Sequence, residues 1–407
     1  MGAIATTADQ PLFSVHSMRV ITGSGLGLFM GTGVLLLFTM GIFIRPIEEA
    51  TGWSRATIGF AAIPASFMLG ALGGWVGSLV DRFGPRKVLI WAIGFQLVGM
   101  LGLAFGPFSA ISFVGFFVLA SILGCVQTPV PFSYVIVGWF KARRGIAMGL
   151  TFTFAGLGIA TLPPVAAFLI ESFGWRMAYA SLGLMAVVIA LPAALWLVRD
   201  PPVVEVRDTG DLPGLTLAET LRRPMFWVLA MAFFINAIVA TAGSISLPTI
   251  LADNGVAPTT AAFAMSLVGV ALIIGRLGAG LLLDRFPAMI VTALLFTAPV
   301  IGHALLLGGI TPASVIMAAL FFGIATGAEG DAMSYVLSRA FGMRDFGKIF
   351  GLSFFGYAFG TGLGPAMMNI LHERFGGYAT PLTIFAIGGA VAVIGIALYS
   401  RARLQFD

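Results

Sequence analysis

The chain has 407 residues, 59% of them hydrophobic and only 10% charged, with a mean hydropathy of +1.02, which excludes a soluble globular domain. A single cysteine, Cys125, excludes an internal disulfide and any multi-cysteine metal site. The net charge of +5 fits basic loops at a membrane surface better than a nucleic-acid footprint.

Residues 1–19 carry Asp9, Gln10, His16 and Arg19 without an apolar core of their own, so no cleaved signal peptide is expected. Twelve apolar runs then follow, near 20–44, 56–79, 87–106, 110–138, 144–170, 177–198, 225–250, 259–283, 288–308, 312–337, 348–371 and 379–400. In lipid every backbone polar group must be satisfied internally, so these runs predict helices; the short alternating strands of a membrane barrel are not seen. The fold class expected is therefore an all-α membrane protein of twelve transmembrane helices in two six-helix, pseudo-symmetric bundles.

The one long connection, 199–223, is rich in charge and proline. It predicts a cytoplasmic tail over 1–19, an N-terminal bundle over 20–198, a cytoplasmic linker over 199–223, a C-terminal bundle over 224–401 and a tail over 402–407. With both termini cytoplasmic, only Arg45, Arg55, Arg176 and Arg374 of the 22 basic residues lie outside, and Arg276 lies within a span; the other 17 are inside. That asymmetry sets the orientation.

The two halves repeat one another. Asp81-Arg82-Phe83 recurs as Asp284-Arg285-Phe286, an offset of 203. Gly149-Leu150 and Pro163 recur as Gly351-Leu352 and Pro365, an offset of 202, and Ser133-Tyr134 and Phe140 recur as Ser334-Tyr335 and Phe341, an offset of 201. Parallel repeats of this kind place a substrate site near the midplane between two bundles, reached alternately from each side.

The stretch Gly77 to Lys87, GSLVDRFGPRK, resembles the loop between spans two and three of the major facilitator superfamily, with Pro85 at a usually basic position. Within that superfamily the chain is most similar to the bacterial monocarboxylate transporter and oxalate–formate antiporter branch. The residues carrying that similarity are Phe43 to Glu49 with Gly52-Trp53-Ser54-Arg55, Trp139-Phe140 before Arg143-Arg144-Gly145, Ala147-Met148-Gly149, and Arg276 in span eight. The resemblance implies that Gly77, Asp81, Arg82, Asp284 and Arg285 serve gating, and that Arg276 meets a substrate carboxylate. It also implies a monomer in the bacterial cytoplasmic (inner) membrane. Phe38 and Leu272 stand where eukaryotic members carry a lysine and an acid, and span eleven lacks the lysine of the oxalate carrier, so a two-charge dicarboxylate site is not expected.

The repeat itself singles out charges. Counting back by the local offset, Arg276 corresponds to Gly73, Glu329 to Thr128 and Asp331 to Val130. The scaffold tolerates neutral residues there, whereas each charge costs at least about 2.5 kcal/mol at membrane depth unless paired or hydrated. Arg276 lies eight residues from Asp284, and Glu329 and Asp331 lie ten and eight residues before Arg339. At 1.5 Å per residue all three sit roughly 12–15 Å into the membrane. Glu329 and Asp331 are about 200° apart on a helix, so one of them faces the substrate directly.

These residues predict binding of an organic acid at Arg276, with Tyr357, Gln127 and Asn236 as further binding candidates and Glu329 or Asp331 taking up a cotransported proton. A permanent Arg–carboxylate pair holding two spans together is the competing structural reading. For Gln127 and Asn236 the competing role is hydrogen bonding between helices. His303, near the outer end of span nine, is expected to pack. The function expected is secondary active uptake of a monocarboxylate-type anion by alternating access and proton symport; exchange of organic anions or export of amphipathic compounds is the alternative. No catalytic motif is found, so no enzyme is expected. Gly-Ser-Gly at 23–25 and Gly-Thr-Gly at 360–362 lack a P-loop lysine, and no cofactor is expected. The partners expected are the organic acid, protons and the lipid bilayer, with no nucleic acid.

Overall fold

A computed structural model describes residues 14–106, 109–140, 144–198, 214–342 and 344–398. The tail 1–13, the linker stretch 199–213 and the tail 399–407 lie outside the described residues, as do the side chains of Asp81 and Tyr134 and the surroundings of Gly77.

Twelve helical spans form two six-helix bundles. In the first bundle α1 runs over Val15–Thr51, α2 over 55–83 in three consecutive helical segments, α3 over Pro85–Phe105 and α4 over 110–139. One helical stretch, Arg144–Pro192, turns at Gly174, whose φ of 78° and ψ of 162° no helix adopts; it is therefore two spans, α5 over 144–173 and α6 over 175–197. The second bundle holds α7 (Pro224–Asp253), α8 (Pro258–Arg285), α9 (Ala288–Leu307), α10 (Pro312–Phe341), α11 (Phe346–Phe375) and α12 (Ala379–Leu398). Local chemistry starts these helices. Proline stands in the first turn of α3, α7, α8 and α10, where its missing N–H costs nothing, and Ser109 and Thr311 close capping boxes on α4 and α10.

Two spans are less regular than their sequence suggests. The fourth apolar run reads as continuous, yet α4 is broken into Ala110–Leu123 and Pro129–Trp139. Pro129 and Pro131 lack the N–H groups that would carry the helix through 124–128. In α1 the helix pauses at Met30 and resumes through a π-helical segment, Gly33–Phe38. The two breaks face each other: Thr32 N donates to Gln127 O at 3.3 Å, and Thr32 Oγ1 donates to Gly124 O at 2.5 Å. Backbone groups released by one break are thus met by the other, as lipid requires.

Between the bundles, α2 packs on α11, α5 on α8, and α1 on α7. The internal repeat exchanges the first two of these contacts and maps the third onto itself. It holds residue by residue. Gly362 of α11 lies against Ala62 and Ser66 of α2, and Gly269 of α8 lies against Ala160 of α5; an offset of 203 takes Ser66 to Gly269, and 202 takes Ala160 to Gly362. Likewise Gly70 meets Ala358 while Gly156 meets Ile273, and the same offsets relate the two pairs. At Gly362, Gly269 and Gly156 a Cβ would collide with the facing helix, and at Gly70 it would be a tight fit.

Within the second bundle the closest packing is of α8 along α10. Gly323 lies against the Val268 carbonyl and Gly327 against the Leu272 carbonyl, each pair 55 residues apart, so the two helices run parallel in a fixed register. One turn further on, the same spacing of 55 pairs Arg276 with Asp331. A branched side chain at Gly327 must push the helices apart. Gly327→Val is expected to lower the melting temperature of the detergent-purified protein by several degrees, an effect on the order of 2 kcal/mol. An unchanged melting temperature would mean that this contact does not set the helix spacing.

Candidate functional site

Arg276 projects from α8 between the two bundles. Its Nε donates to Asp331 Oδ2 at 2.9 Å, and its guanidinium carbon stands 4.7 Å from the ring centroid of Phe152 on α5, in the opposite half. One edge and one face of the guanidinium are therefore engaged, the face in a cation–π contact. Among the described residues no partner is found for its two terminal nitrogens. The side chains of Arg276 and Asp331 retain 20% and 41% of their exposure, so the pair borders an open space rather than a packed core. Two terminal N–H groups in the plane of a guanidinium form a fork that fits a carboxylate bidentately.

Glu329 points elsewhere. It is only 2% exposed, and its Oε1 accepts from Asn236 Nδ2 of α7 at 2.9 Å. Its described neighbour is an amide and not a cation, so its charge is not balanced as that of Asp331 is. Tyr357 of α11 lies within electrostatic reach of Glu329, Arg276 and Asp331, and its ring packs against Phe354 at 5.6 Å. Phe346, Phe350 and Phe354 continue this row of rings toward the α10–α11 turn, with centroid spacings of 5.7 and 5.8 Å.

Of the residues singled out in the sequence, Arg276, Asp331, Glu329, Asn236 and Tyr357 come together in the second half. Asn236 acts on Glu329 directly. Gln127 does not join them: it is buried at the α4 break, where its Nε2 donates to Gln96 Oε1 of α3. Arg82, Asp284 and Arg285 are exposed at their helix ends, with the Arg82 guanidinium over the Phe83 ring at 5.1 Å. His303 is fully buried; its Nδ1 lies 2.7 Å from Pro299 O and its ring packs edge-on to Phe322.

A polar cluster that sequence reasoning missed joins the halves at the end of the molecule where α7 finishes. Arg55 of α2 pairs with Glu48 of α1 at 2.7 Å and with Asp253 of α7, and both Arg55 and Asp253 are 16% exposed. Tyr378, in the loop after α11, donates its hydroxyl to Asp253 at 2.5 Å and packs its ring, tilted, against the His372 ring at 4.2 Å. Burial and the bond to Asp253 hold the Tyr378 phenol well above its usual range, so it remains a donor at any working pH. Arg45 donates to Ala252 O at 3.0 Å, and Thr249 Oγ1 donates to Gly41 O at 3.1 Å. In the sequence these residues are scattered loop charges, with Arg55 and Asp253 198 positions apart. The only available cue was a run of charges at Arg45, Glu48, Glu49 and Arg55 around the first loop.

Comparison with known proteins fits this architecture. Residues 21–365 match the profile of the Major Facilitator Superfamily. The chain belongs to that superfamily. It is similar to the MFS transporter asaE of Aspergillus flavus, with 26% identity covering 86% of this chain and 78% of that protein. Monocarboxylate transporter 13 of Bos taurus is also 26% identical, over 91% of this chain and 84% of that one. In fold, the chain superposes on a bacterial homologue of the human lysosomal transporter Spinster, solved inward-facing and unoccupied. The TM-score is 0.71 at 19% identity, covering 97% of this chain and 98% of that one. This superfamily member is therefore a multi-pass membrane transporter of an organic substrate.

Asp253→Asn removes the anion shared by Arg55 and Tyr378 and leaves Arg55 with Glu48 alone. Loss of one partner from so sheltered a pair is expected to cost the closed arrangement on the order of 2 kcal/mol. A cysteine introduced at Ile245, buried beneath the cluster where α7 meets α1, should then react with maleimide many-fold faster, once the native Cys125 has been replaced. Equal labelling rates with and without Asp253→Asn would show that the cluster does not hold the halves together.

Proposed function

We propose that this superfamily member takes up a monocarboxylate-type organic anion by alternating access, coupled to proton symport. The observation that carries the reading is Arg276: a permanent cation between the bundles, balanced at one edge by Asp331, with its terminal fork open to a carboxylate. The name of monocarboxylate transporter 13 is consistent with that substrate class. The distribution of basic residues supports placing the Asp284 end at the cytoplasm and the Asp253 end outside, with both termini and the 199–223 linker cytoplasmic, in a bacterial inner membrane. In that orientation the Arg55–Asp253 cluster closes the outer side, while Asp81, Arg82, Asp284 and Arg285 form the inner gate.

Two carboxyl groups divide the work. Asp331 shares Arg276 with the incoming substrate, so a second anion on the guanidinium favours protonation of Asp331 or its release from the pair. Glu329, with no cation paired to it among the described residues, is poised to take a proton from that exchange, with Asn236 as its hydrogen-bonding partner and Tyr357 within electrostatic reach. The row of aromatic rings from Phe346 to Tyr357 supports a second reading within the same fold, movement of a more amphipathic anion by exchange or export.

Proteoliposomes with an imposed proton gradient test the proposal. Uptake of a radiolabelled monocarboxylate is expected to follow the gradient and to fall at least a hundredfold in Arg276→Ala. Asp331→Asn and Glu329→Gln should each abolish gradient-driven accumulation, and the variant that still exchanges substrate across the bilayer retains binding without the proton step. Gradient-driven uptake surviving in both amide variants would overturn the coupling role. Uptake that requires preloaded anion and ignores the gradient would favour exchange.

A further inference from the structure

The repeat that relates the bundles also relates the surroundings of Arg276. An offset of 202 takes Phe152 to Phe354, and counting back 203 takes Arg276 to Gly73. The register is reliable at these positions because the neighbouring contacts obey it: Gly156 meets Ile273 on one side, and Gly70 meets Ala358 and Phe355 on the other. Thr151 and its counterpart Ser353 are both buried, and each returns its hydroxyl to the carbonyl four residues earlier. Where α5 and α8 place a guanidinium on the Phe152 ring, the repeat assigns to α11 and α2 the corresponding pair Phe354 and Gly73, a residue with no side chain. Among the described residues, a Cβ built on Gly73 meets nothing within 4 Å. Among the described residues, the position that corresponds to Arg276 across the pseudo-twofold axis is therefore open around its Cβ. Phe354, which the repeat sets against Gly73 as Phe152 is set against Arg276, packs its ring on Tyr357 at 5.6 Å, and Tyr357 lies within electrostatic reach of Arg276.

We propose that the gap at Gly73, walled by Phe354, receives the apolar tail of the substrate while Arg276 holds its carboxylate, so that the substrate class is monocarboxylates with an aromatic or branched apolar tail. This rests on the assignment of Arg276 as the carboxylate site. An aromatic ring, and a glycine at the position that repeats Arg276, favour an apolar group over a second charge. Gly73 then sets how large a tail is accepted, because any side chain there grows into the space the tail would fill.

The test is ligand-induced thermal stabilisation of the purified protein, titrated with benzoate and phenylacetate as tailed acids and with acetate as the small one. Parent protein is expected to bind the tailed acids at least tenfold more tightly than acetate. Gly73→Leu should weaken the tailed acids by tenfold or more and leave acetate within about twofold; the unliganded melting temperature serves as the folding control, with Gly73→Ala as a milder variant giving a smaller loss in the same direction. Phe354→Ala should weaken benzoate more than acetate, and Phe354→Tyr should restore it. Equal loss for tailed and small acids in Gly73→Leu, or no loss for either while Arg276→Ala still abolishes binding, would overturn the tail site and leave the carboxylate site standing. Binding of all three acids undiminished in Arg276→Ala would overturn both.

Discussion

A guanidinium in the interior of a membrane protein has to be compensated where it stands, since neither lipid nor packed side chains can solvate it. Here that compensation is delivered by helix packing. The parallel register of α8 on α10, fixed by Gly323 and Gly327 against backbone carbonyls, brings Asp331 level with Arg276 at the next turn. The glycines and the ion pair are thus one construction: without backbone-to-backbone approach, the carboxylate would not reach. The pair is not fully enclosed, and its Phe152 partner belongs to the other bundle. The electrostatics of the cation therefore depend on how the bundles stand to each other, which is what a carrier that alternates between two arrangements needs.

The pseudo-symmetry clarifies which features are scaffold and which are chemistry. Contacts that recur, such as Gly362 on Ser66 and Gly269 on Ala160, hold the halves in register and use small residues in both copies. Features that do not recur mark specialisation. Arg276 stands where the other half has Gly73, and Glu329 and Asp331 stand where it has Thr128 and Val130. The breaks differ too: in the first half 124–128 interrupt α4, whereas α10 runs unbroken from Pro312 to Phe341 and carries both acids on a rigid helix. A continuous helix fixes the angle between Glu329 and Asp331, and so fixes their different neighbours.

Much of this was legible in the sequence because membrane helices obey a simple code of length, apolarity and rare interior charge. The spans, the half-repeat and the exceptional status of Arg276, Glu329 and Asp331 all follow from it. The partners were less accessible. Asn236 reads as a polar residue within an apolar span, and only the packing of α7 on α10 turns it into the neighbour of Glu329. Gln127 reads the same way, yet the α4 break directs it to Gln96. The Arg55–Asp253 cluster was hidden for another reason. At helix ends charges are common and cheap, so neither composition nor spacing distinguishes a residue that bridges 198 positions from one that is merely solvated.

The energetics of the interface are uneven along the axis, and that unevenness bears on how the bundles part. Across the middle they touch through glycine, alanine and serine backed by apolar side chains such as Ile273, Phe67 and Phe355, which give close dispersion contact without directional bonds. The polar contacts between described residues of the two halves gather at the Asp253 end, in ion pairs and hydrogen bonds that water can replace once it enters. Separation at that end therefore exchanges protein partners for hydration and leaves no buried charge stranded. Separation near Arg276 is different, because Asp331 moves with Arg276 on the same bundle while Phe152 stays behind. The cation keeps its counter-ion through the motion and loses only its aromatic face. Under the function proposed above, a carboxylate on the terminal nitrogens would keep its hold on that bundle, and what would change as the halves move is the side from which it can leave.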